Sequence, residues 1–164
     1  MKTFVIRDAV LEDFETICSL NHAEVEYTSP MDLARLKFLH SLSGYHRVGC
    51  VNGQIAAFLL AMHSNSPYEN KNFKWFACKY TRFMYVDRIV VSAEFRGMHA
   101  GVMLYEDLFR YARHVGIPII TCEYNIVPKN EPSRLFHDKL GFKEQGTQWV
   151  ANGSKLVSLQ TVET

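Results

Sequence analysis

Tyr85-Val86-Asp87-Arg88-Ile89-Val90-Val91-Ser92-Ala93-Glu94-Phe95-Arg96-Gly97-Met98-His99-Ala100-Gly101 is the stretch whose reading decides the fold. Tyr85–Val91 is rich enough in β-branched and aromatic residues to form a strand, Ser92–Gly101 is a tight polar turn, and a helix follows over Ala100–Val115. Gly97 and Gly101 let the backbone approach a ligand with no side chain in the way. The helix start leaves N–H groups unpaired at the positive end of its dipole, which suits a phosphate or pyrophosphate. The plainer alternative is an ordinary strand-to-helix turn.

Working outward, Ala100, Leu104, Leu108, Tyr111, Ala112 and Val115 make one apolar stripe, and Gly116 and Pro118 stop the helix. Ile117–Tyr124 is a short apolar strand, so the segment reads as a right-handed β-α-β unit with parallel strands. A last helix near Pro132–Leu140 ends at Gly141. Upstream, Thr3–Ile6 reads as a strand, and Leu11, Phe14, Ile17, Cys18 and Val25 mark a helix face with Glu12 and Asp13 near its start. Ser29-Pro30 followed by Asp32 resembles the capped start of a second helix, with Leu33, Leu36 and Leu39 or His40 on its buried face. Asn52-Gly53 joins Tyr45–Val51 to Gln54–Met62 as a two-residue hairpin. Asn152-Gly153 repeats the device between Phe142–Ala151 and Ser154–Thr161. His63–Thr81 is a long connection carrying Tyr68, Phe73, Trp75, Phe76 and Tyr80, read as a substrate-binding loop or lid, or else as an extended hairpin or dimer contact.

The chain has 164 residues, enough for a single domain over 1–164, and its 48% hydrophobic and 21% charged fractions are those of a soluble globular protein. Eighteen basic against seventeen acidic residues leave no net field for nucleic acid or acidic membranes. The longest apolar run, Ile55–Met62, is too short to span a bilayer, and Met1–Asp8 lacks a signal-peptide pattern. A cytoplasmic protein is expected. Cys18, Cys50, Cys78 and Cys122 show no paired spacing and read as reduced thiols, mostly in the core; the histidines show no ligand pairing, and no metal is expected.

Three features occur in order: Arg96-Gly97-Met98-His99-Ala100-Gly101 after a strand, Asn130 opening the last helix, and Leu140-Gly141-Phe142 closing it. With Ile6-Arg7-Asp8 at the start, Asp13, and the two hairpins, they resemble the GCN5-related N-acetyltransferase (GNAT) superfamily over almost the whole chain. Its motif is Arg/Gln-x-x-Gly-x-Gly/Ala; Arg96 and Gly101 fit, whereas His99 stands where the middle glycine is usual. The run Asn130-Glu131-Pro132-Ser133-Arg134-Leu135-Phe136-His137-Asp138-Lys139-Leu140-Gly141-Phe142 is similar to the matching helix of phosphinothricin-type acetyltransferases, which acetylate small amino-acid-like compounds. Many relatives have tyrosine in place of His137.

The resemblance implies an α/β fold with a mixed, splayed sheet of about seven strands flanked by about four helices. It implies acetyl-coenzyme A as co-substrate. Arg96, Gly97, Met98, His99, Ala100, Gly101 and Val102 would hold the pyrophosphate, the edge of Ile89, Val90 and Val91 the pantetheine, and Asn130 and Ser133 would add contacts. His99 is tolerable there if its φ is helical, its ring facing solvent or a coenzyme phosphate. A homodimer is expected from resemblance alone.

Acetyl transfer to an amine needs a base, an oxyanion donor and a proton for the departing thiolate. Alternation puts Tyr85, Asp87 and Ile89 on one strand face and Arg88 on the other, which makes Asp87 a candidate base or the partner of a nearby arginine. Glu123 competes, lying near the C-terminal end of the next strand, where parallel sheets open. His137 is the candidate acid or a packing histidine. Asn130 is expected to cap its helix as well. Cys122 has no neighbour in sequence to activate it as a nucleophile. Trp75, Tyr80 and Tyr85 are candidate acceptor contacts. Lys71, Lys74 and Lys79 would suit an acidic acceptor, although spaced lysines are ordinarily a solvated loop. The expected activity is direct acetyl transfer to a primary amine of a small molecule. The alternatives are acetylation of a protein N-terminus or lysine, and a coenzyme-A-binding regulatory module without turnover.

Overall fold

The strands over Met84–Val91 (β4) and Ile119–Val127 (β5) pair in parallel only at Met84 with Ile120 and Tyr85 with Thr121, and then part. A computed structural model describes residues 3–164. The remaining strands are β1 (Phe4–Asp8), β2 (Tyr45–Val51), β3 (Gln54–His63), β6 (Lys143–Val150) and β7 (Lys155–Glu163). They form one seven-stranded sheet in the order β1-β2-β3-β4-β5-β7-β6, with every pairing except β4 to β5 antiparallel. The helices are α1 (Phe14–Ala23), α2 (Leu33–Leu42), α3 (Lys71–Ala77), α4 (Ala100–His114) and α5 (Glu131–Lys139). None is long and apolar enough to cross a membrane among the described residues.

Two cores form, one on each side of the sheet. Phe14 and Ile17 of α1, Leu36 and Leu39 of α2, and Phe73 and Phe76 of α3 pack against Phe58, Leu60, Tyr85 and Leu159. On the other face Leu104, Tyr105, Leu108 and Ala112 of α4 pack against Leu59, Met84, Ile120 and Phe142. Each fully buried aliphatic side chain in these layers contributes about 1.5–3 kcal/mol against the entropy of ordering the chain.

Several expectations are corrected. His63–Thr81 contains helix α3: Asn70 caps it by accepting from the Phe73 amide at 3.0 Å, and the aromatics are there because Phe73 and Phe76 fill the core. The described residues thus hold five α-helices. The α1 helix is shorter than its apolar pattern, leaving Leu11 and Val25 outside it and exposed. Asp32, not Ser29, caps α2, accepting from the Arg35 amide at 2.7 Å. The Ser29 carbonyl serves instead as an acceptor for Asn21 and Arg88. Asn52-Gly53 is a two-residue turn with φ of 50° and 81°. The second hairpin differs: Val150 pairs with Lys155 across a four-residue loop, with Ala151, Asn152 and Gly153 all at positive φ.

The correction that matters most for the site lies in β4. Ala61 of β3 faces Val86 and Leu60 faces Arg88, so Asp87 is an extra, unpaired residue in a bulge. The bulge resets the alternation. Tyr85 and Val90 belong to the core on the α1–α3 side, Ile89 and Val91 pack on the α4 side, and Asp87 and Arg88 point together rather than to opposite faces.

Candidate active site

Past Tyr85 and Thr121 the facing edges of β4 and β5 have no sheet partner, and the fork opens a cleft of about 760 Å³. Ile89, Val90 and Val91 line it from β4, Cys122, Glu123 and Tyr124 from β5, and Asn130, Ser133 and His137 from α5.

The turn into α4 lies at the end of β4. Gly97 has φ of +80°, which only glycine adopts without strain. His99 has φ 60° and ψ 20°, so the expected helical φ is replaced by a left-handed one, and its side chain is exposed. The backbone amides from Gly97 through Val102 donate to no acceptor among the described residues; the first helical bond of α4 runs from the Met103 amide to the His99 carbonyl at 2.9 Å. This run of free donors at a helix start is an anion site by charge and direction. At Gly101 a β-carbon would come within 3.0 Å of Phe136 and 3.5 Å of Val91, so glycine is what lets α4 lie this close to β4 and α5. Arg96 is ion-paired with Glu24 just past α1.

Glu123 is held where the fork begins. Its Oε1 accepts from the Tyr85 hydroxyl at 2.7 Å across the fork, and its Oε2 is buried with no partner among the described residues. Burial pushes its carboxyl up to about 8, opposed by the Tyr85 hydrogen bond and reinforced by the Asp87 charge. Asp87 is fully committed: Oδ1 accepts from Tyr68 at 2.5 Å and Oδ2 from Arg88 Nε at 2.8 Å, with both side chains of the ion pair buried. Arg88 is anchored in turn by Asn21 and Ser29, each at 3.0 Å.

His137 is buried in α5. Its Nδ1 donates to the Ser133 carbonyl at 2.7 Å, which leaves Nε2 to accept from the Tyr105 hydroxyl at 2.9 Å. Burial lowers its pKa, so the ring is neutral and its one proton is engaged. Tyr124 stacks on it with centroids 5.9 Å apart. Asn130 caps α5 through the Ser133 amide at 3.3 Å, as expected.

Among the acceptor candidates, Trp75 packs on Gly146 and under the Lys79 ammonium and does not line the cleft; neither does Tyr80. Tyr85 is fully buried behind Glu123. The cleft wall on that side is built by Tyr68, Asn70, Lys71 and Asn72. Lys74 is ion-paired with Glu69. Burial drives the Cys122 thiol well above its usual range, away from thiolate chemistry. Cys50 is also buried, Cys18 half-buried and Cys78 exposed.

Sequence reading missed Tyr105 and Arg35. The signal for Tyr105 is present, since it stands four residues after Gly101 on the buried side of α4, but an apolar stripe absorbs a tyrosine without marking its hydroxyl. Arg35 carries no local signal.

The sequence over residues 7–142 matches the Acetyltransferase (GNAT) family, and the chain belongs to that family of acyltransferases, whose co-substrate is acetyl-coenzyme A. Solved structures share the fold. Ard1 from Thermoplasma volcanium superposes with a TM-score of 0.80 at 16% identity, over 98% of this chain and 97% of that one. The ribosomal-protein-S18-alanine N-acetyltransferase from Escherichia coli gives 0.71 at 15%, over 98% and 94%. YncA from Salmonella typhimurium, solved with its cofactor acetyl-CoA, gives 0.69 at 20%, over 98% and 94%. No curated protein matches the sequence.

Proposed function

We propose that the chain, acting as one domain over residues 1–164, moves an acetyl group from acetyl-coenzyme A directly to a primary amine of a small molecule, with Glu123 as the base. The observation that carries this reading is the Glu123 carboxyl, enclosed at the fork with Oε2 unpartnered and a pKa near 8. A base in that range is matched to an amine near neutral pH.

The residues present fit the coenzyme. The free amides of Gly97–Val102 suit its pyrophosphate, the unpaired β4 edge at Ile89–Val91 suits the amides of its pantetheine arm, and Asn130 and Ser133 flank the same cleft. Arg96 stands beside these amides, and His99, exposed, does not obstruct them. When bound, acetyl-coenzyme A supplies a thioester whose acyl carbon takes the amine and whose sulfur leaves needing a proton.

The protein's own groups divide the remaining work. Glu123 Oε2 takes the ammonium proton, directly or through water, and an N–H on the open β4 edge steadies the acyl oxygen. Asp87, with both oxygens occupied, acts by its charge: it keeps the Glu123 pKa high. His137, with Nδ1 donating to the Ser133 carbonyl and Nε2 accepting from Tyr105, has no proton to give and shapes the α5 wall; the proton that the amine nitrogen sheds on becoming an amide goes to the departing sulfur.

Calorimetry with coenzyme A and thiol release across a panel of amines and peptides test the proposal. Coenzyme binding is expected with release driven by small amines. The rate is expected to rise with pH through about 8, with acceptors of different basicity separating the amine's own ionisation. Glu123→Gln is expected to lower kcat/KM by roughly 10²–10⁴-fold and to remove that pH step, leaving coenzyme binding intact. Binding without turnover of any acceptor would leave the regulatory-module alternative standing, and an undiminished Glu123→Gln variant would exclude Glu123 as base.

A further inference from the structure

Asn72 is a buried polar side chain on the cleft wall that acetyl transfer as described above leaves without a task. It stands in the first turn of α3, only 8% exposed, and lines the cleft together with Glu123. Its Oδ1 accepts from Gln148 Nε2 of β6 at 2.9 Å, and the preceding residue, Lys71, donates to the Trp149 carbonyl at 2.7 Å. Two adjacent ties to one strand fix this turn and the side chain on it. With Oδ1 occupied, the N–H groups of Asn72 Nδ2 have no hydrogen-bond partner among the described residues.

The same stretch of chain reaches the Glu123 carboxyl. Asn70 Oδ1, two residues earlier, lies 3.4 Å from the Tyr85 hydroxyl, whose proton goes to the nearer Glu123 Oε1 at 2.7 Å. Glu123 Oε2 is buried and unpartnered, yet the Asn72 amide is near enough to oppose the rise that burial imposes on the carboxyl. The groups facing Glu123 are Tyr85, Asp87 and Arg88 of β4, Cys122 of its own strand, Tyr105 of α4, and Asn72. Asp87 and Arg88 are committed to each other, and the Tyr105 hydroxyl to His137. Among these groups Asn72 is the neutral donor left for Oε2.

We propose that Asn72 is a positioning residue for acetyl transfer: its amide, oriented by Gln148, donates to Glu123 Oε2 once that oxygen has lost its proton, and so holds the base in its ionised form within the cleft. The proposal rests on the reading of Glu123 as the base. A protonated Oε2 has no use for this donor, whereas an ionised and buried one gains most from it. The opposite amide orientation would set Asn72 Oδ1 against the carboxylate, acceptor facing acceptor. A carboxylate oxygen has room for a second donor, so an ammonium group approaches Oε2 with the amide still in place.

The test follows the Glu123 carboxyl itself, by carbon NMR of protein labelled at its glutamates, with Glu123→Gln giving the assignment; this readout needs no acceptor. Asn72→Leu is expected to move the Glu123 titration to higher pH by roughly 1 pH unit, the scale of a hydrogen bond to a charged group. Asn72→Asp keeps an oxygen for Gln148 but puts a carboxylate where the donor was, so its shift is larger and in the same direction. Gln148→Leu frees the amide to turn and gives a smaller upward shift. In thiol release at saturating acetyl-coenzyme A, the pH dependence of the rate is expected to move with the titration in each variant, with the coenzyme A dissociation constant unchanged. A Glu123 titration that stays in place in both Asn72 variants overturns the proposal, as do rates that fall equally at every pH, the mark of a purely structural residue. Should Glu123→Gln keep the native rate, Glu123 is not the base and the role of Asn72 falls with it. Should Glu123→Gln lose the rate while the Asn72 variants keep the native titration, the proposal alone fails.

Discussion

At the residue scale the protein keeps a costly group where its sheet opens, the buried Glu123 carboxyl. A buried carboxyl with a pKa near 8 binds a proton in the folded state that it releases in the unfolded chain at any pH above the ordinary carboxylate value. Its effect on stability is therefore absent below a pH of about 4.5 and grows unfavourably as pH rises toward 8. Glu123→Gln keeps the shape and the Tyr85 contact while removing the ionisation. Its melting temperature is expected to exceed that of the native protein by several degrees at pH 8.5, on the order of 3 kcal/mol, and to converge with it near pH 4.5. Equal melting temperatures at both pH values would show that Glu123 is not desolvated. Glu123 was legible in sequence as a competitor to Asp87, but nothing local ranked the two. The ranking comes from Tyr68 and Arg88, which occupy both oxygens of Asp87 and none of Glu123.

At the element scale the decisive irregularities are the bulge in β4 and the start of α4. Reading β4 by alternation placed Asp87 and Arg88 on opposite faces; one extra residue opposite Leu60 and Ala61 brings them together and splits Tyr85 from Ile89. A bulge is set by pairing with a distant strand, so β4 alone does not announce it. At α4, His99 occupies a left-handed conformation that costs an L-residue roughly 1–2 kcal/mol. His99→Gly is expected to raise stability by about 0.5–1 kcal/mol in denaturant melts and to leave coenzyme A binding intact, because the proposed pyrophosphate site is made of backbone amides and the ring is exposed. A loss of stability would mean the imidazole makes a contact that outweighs the strain. The missing motif glycine was visible in sequence; its backbone conformation was not.

At the scale of the whole molecule, side-chain ties near both ends of the chain join the elements to one another. Arg7 of β1 grips Asp13 with both guanidinium nitrogens, at 2.7 and 2.9 Å, while Asp13 also accepts from the Val10 amide, joining β1 to α1. The Arg7 guanidinium holds the Asp13 carboxyl below the usual range, so this contribution is present above the unfolded pKa and is lost as pH falls through the folded one. Asp13→Asn is expected to cost about 1–3 kcal/mol at pH 7, discounted toward the lower end by the exposure of Arg7, and the difference should shrink below a pH of about 4. A constant difference down to pH 2.5 would place its origin in packing. At the other end, Lys71 and Asn72 of α3, which line the cleft, hold the β6–β7 hairpin through the Trp149 carbonyl and Gln148.

The sequence by itself determined the β4-turn-α4-β5 unit, the first hairpin, the capping of α5 by Asn130, the glycines of the turn and the family, because each rests on periodicity, turn chemistry or a contiguous motif. Those signals act within a few residues or a few turns. Tertiary structure alone decided that His63–Thr81 holds a helix, that both Asp87 oxygens are engaged while Glu123 keeps one free, that His137 is a closed, neutral partner of Tyr105, and that Arg35 lines the cleft. Each depends on which distant group is brought within hydrogen-bonding or ion-pairing reach, and on how much water is removed around it.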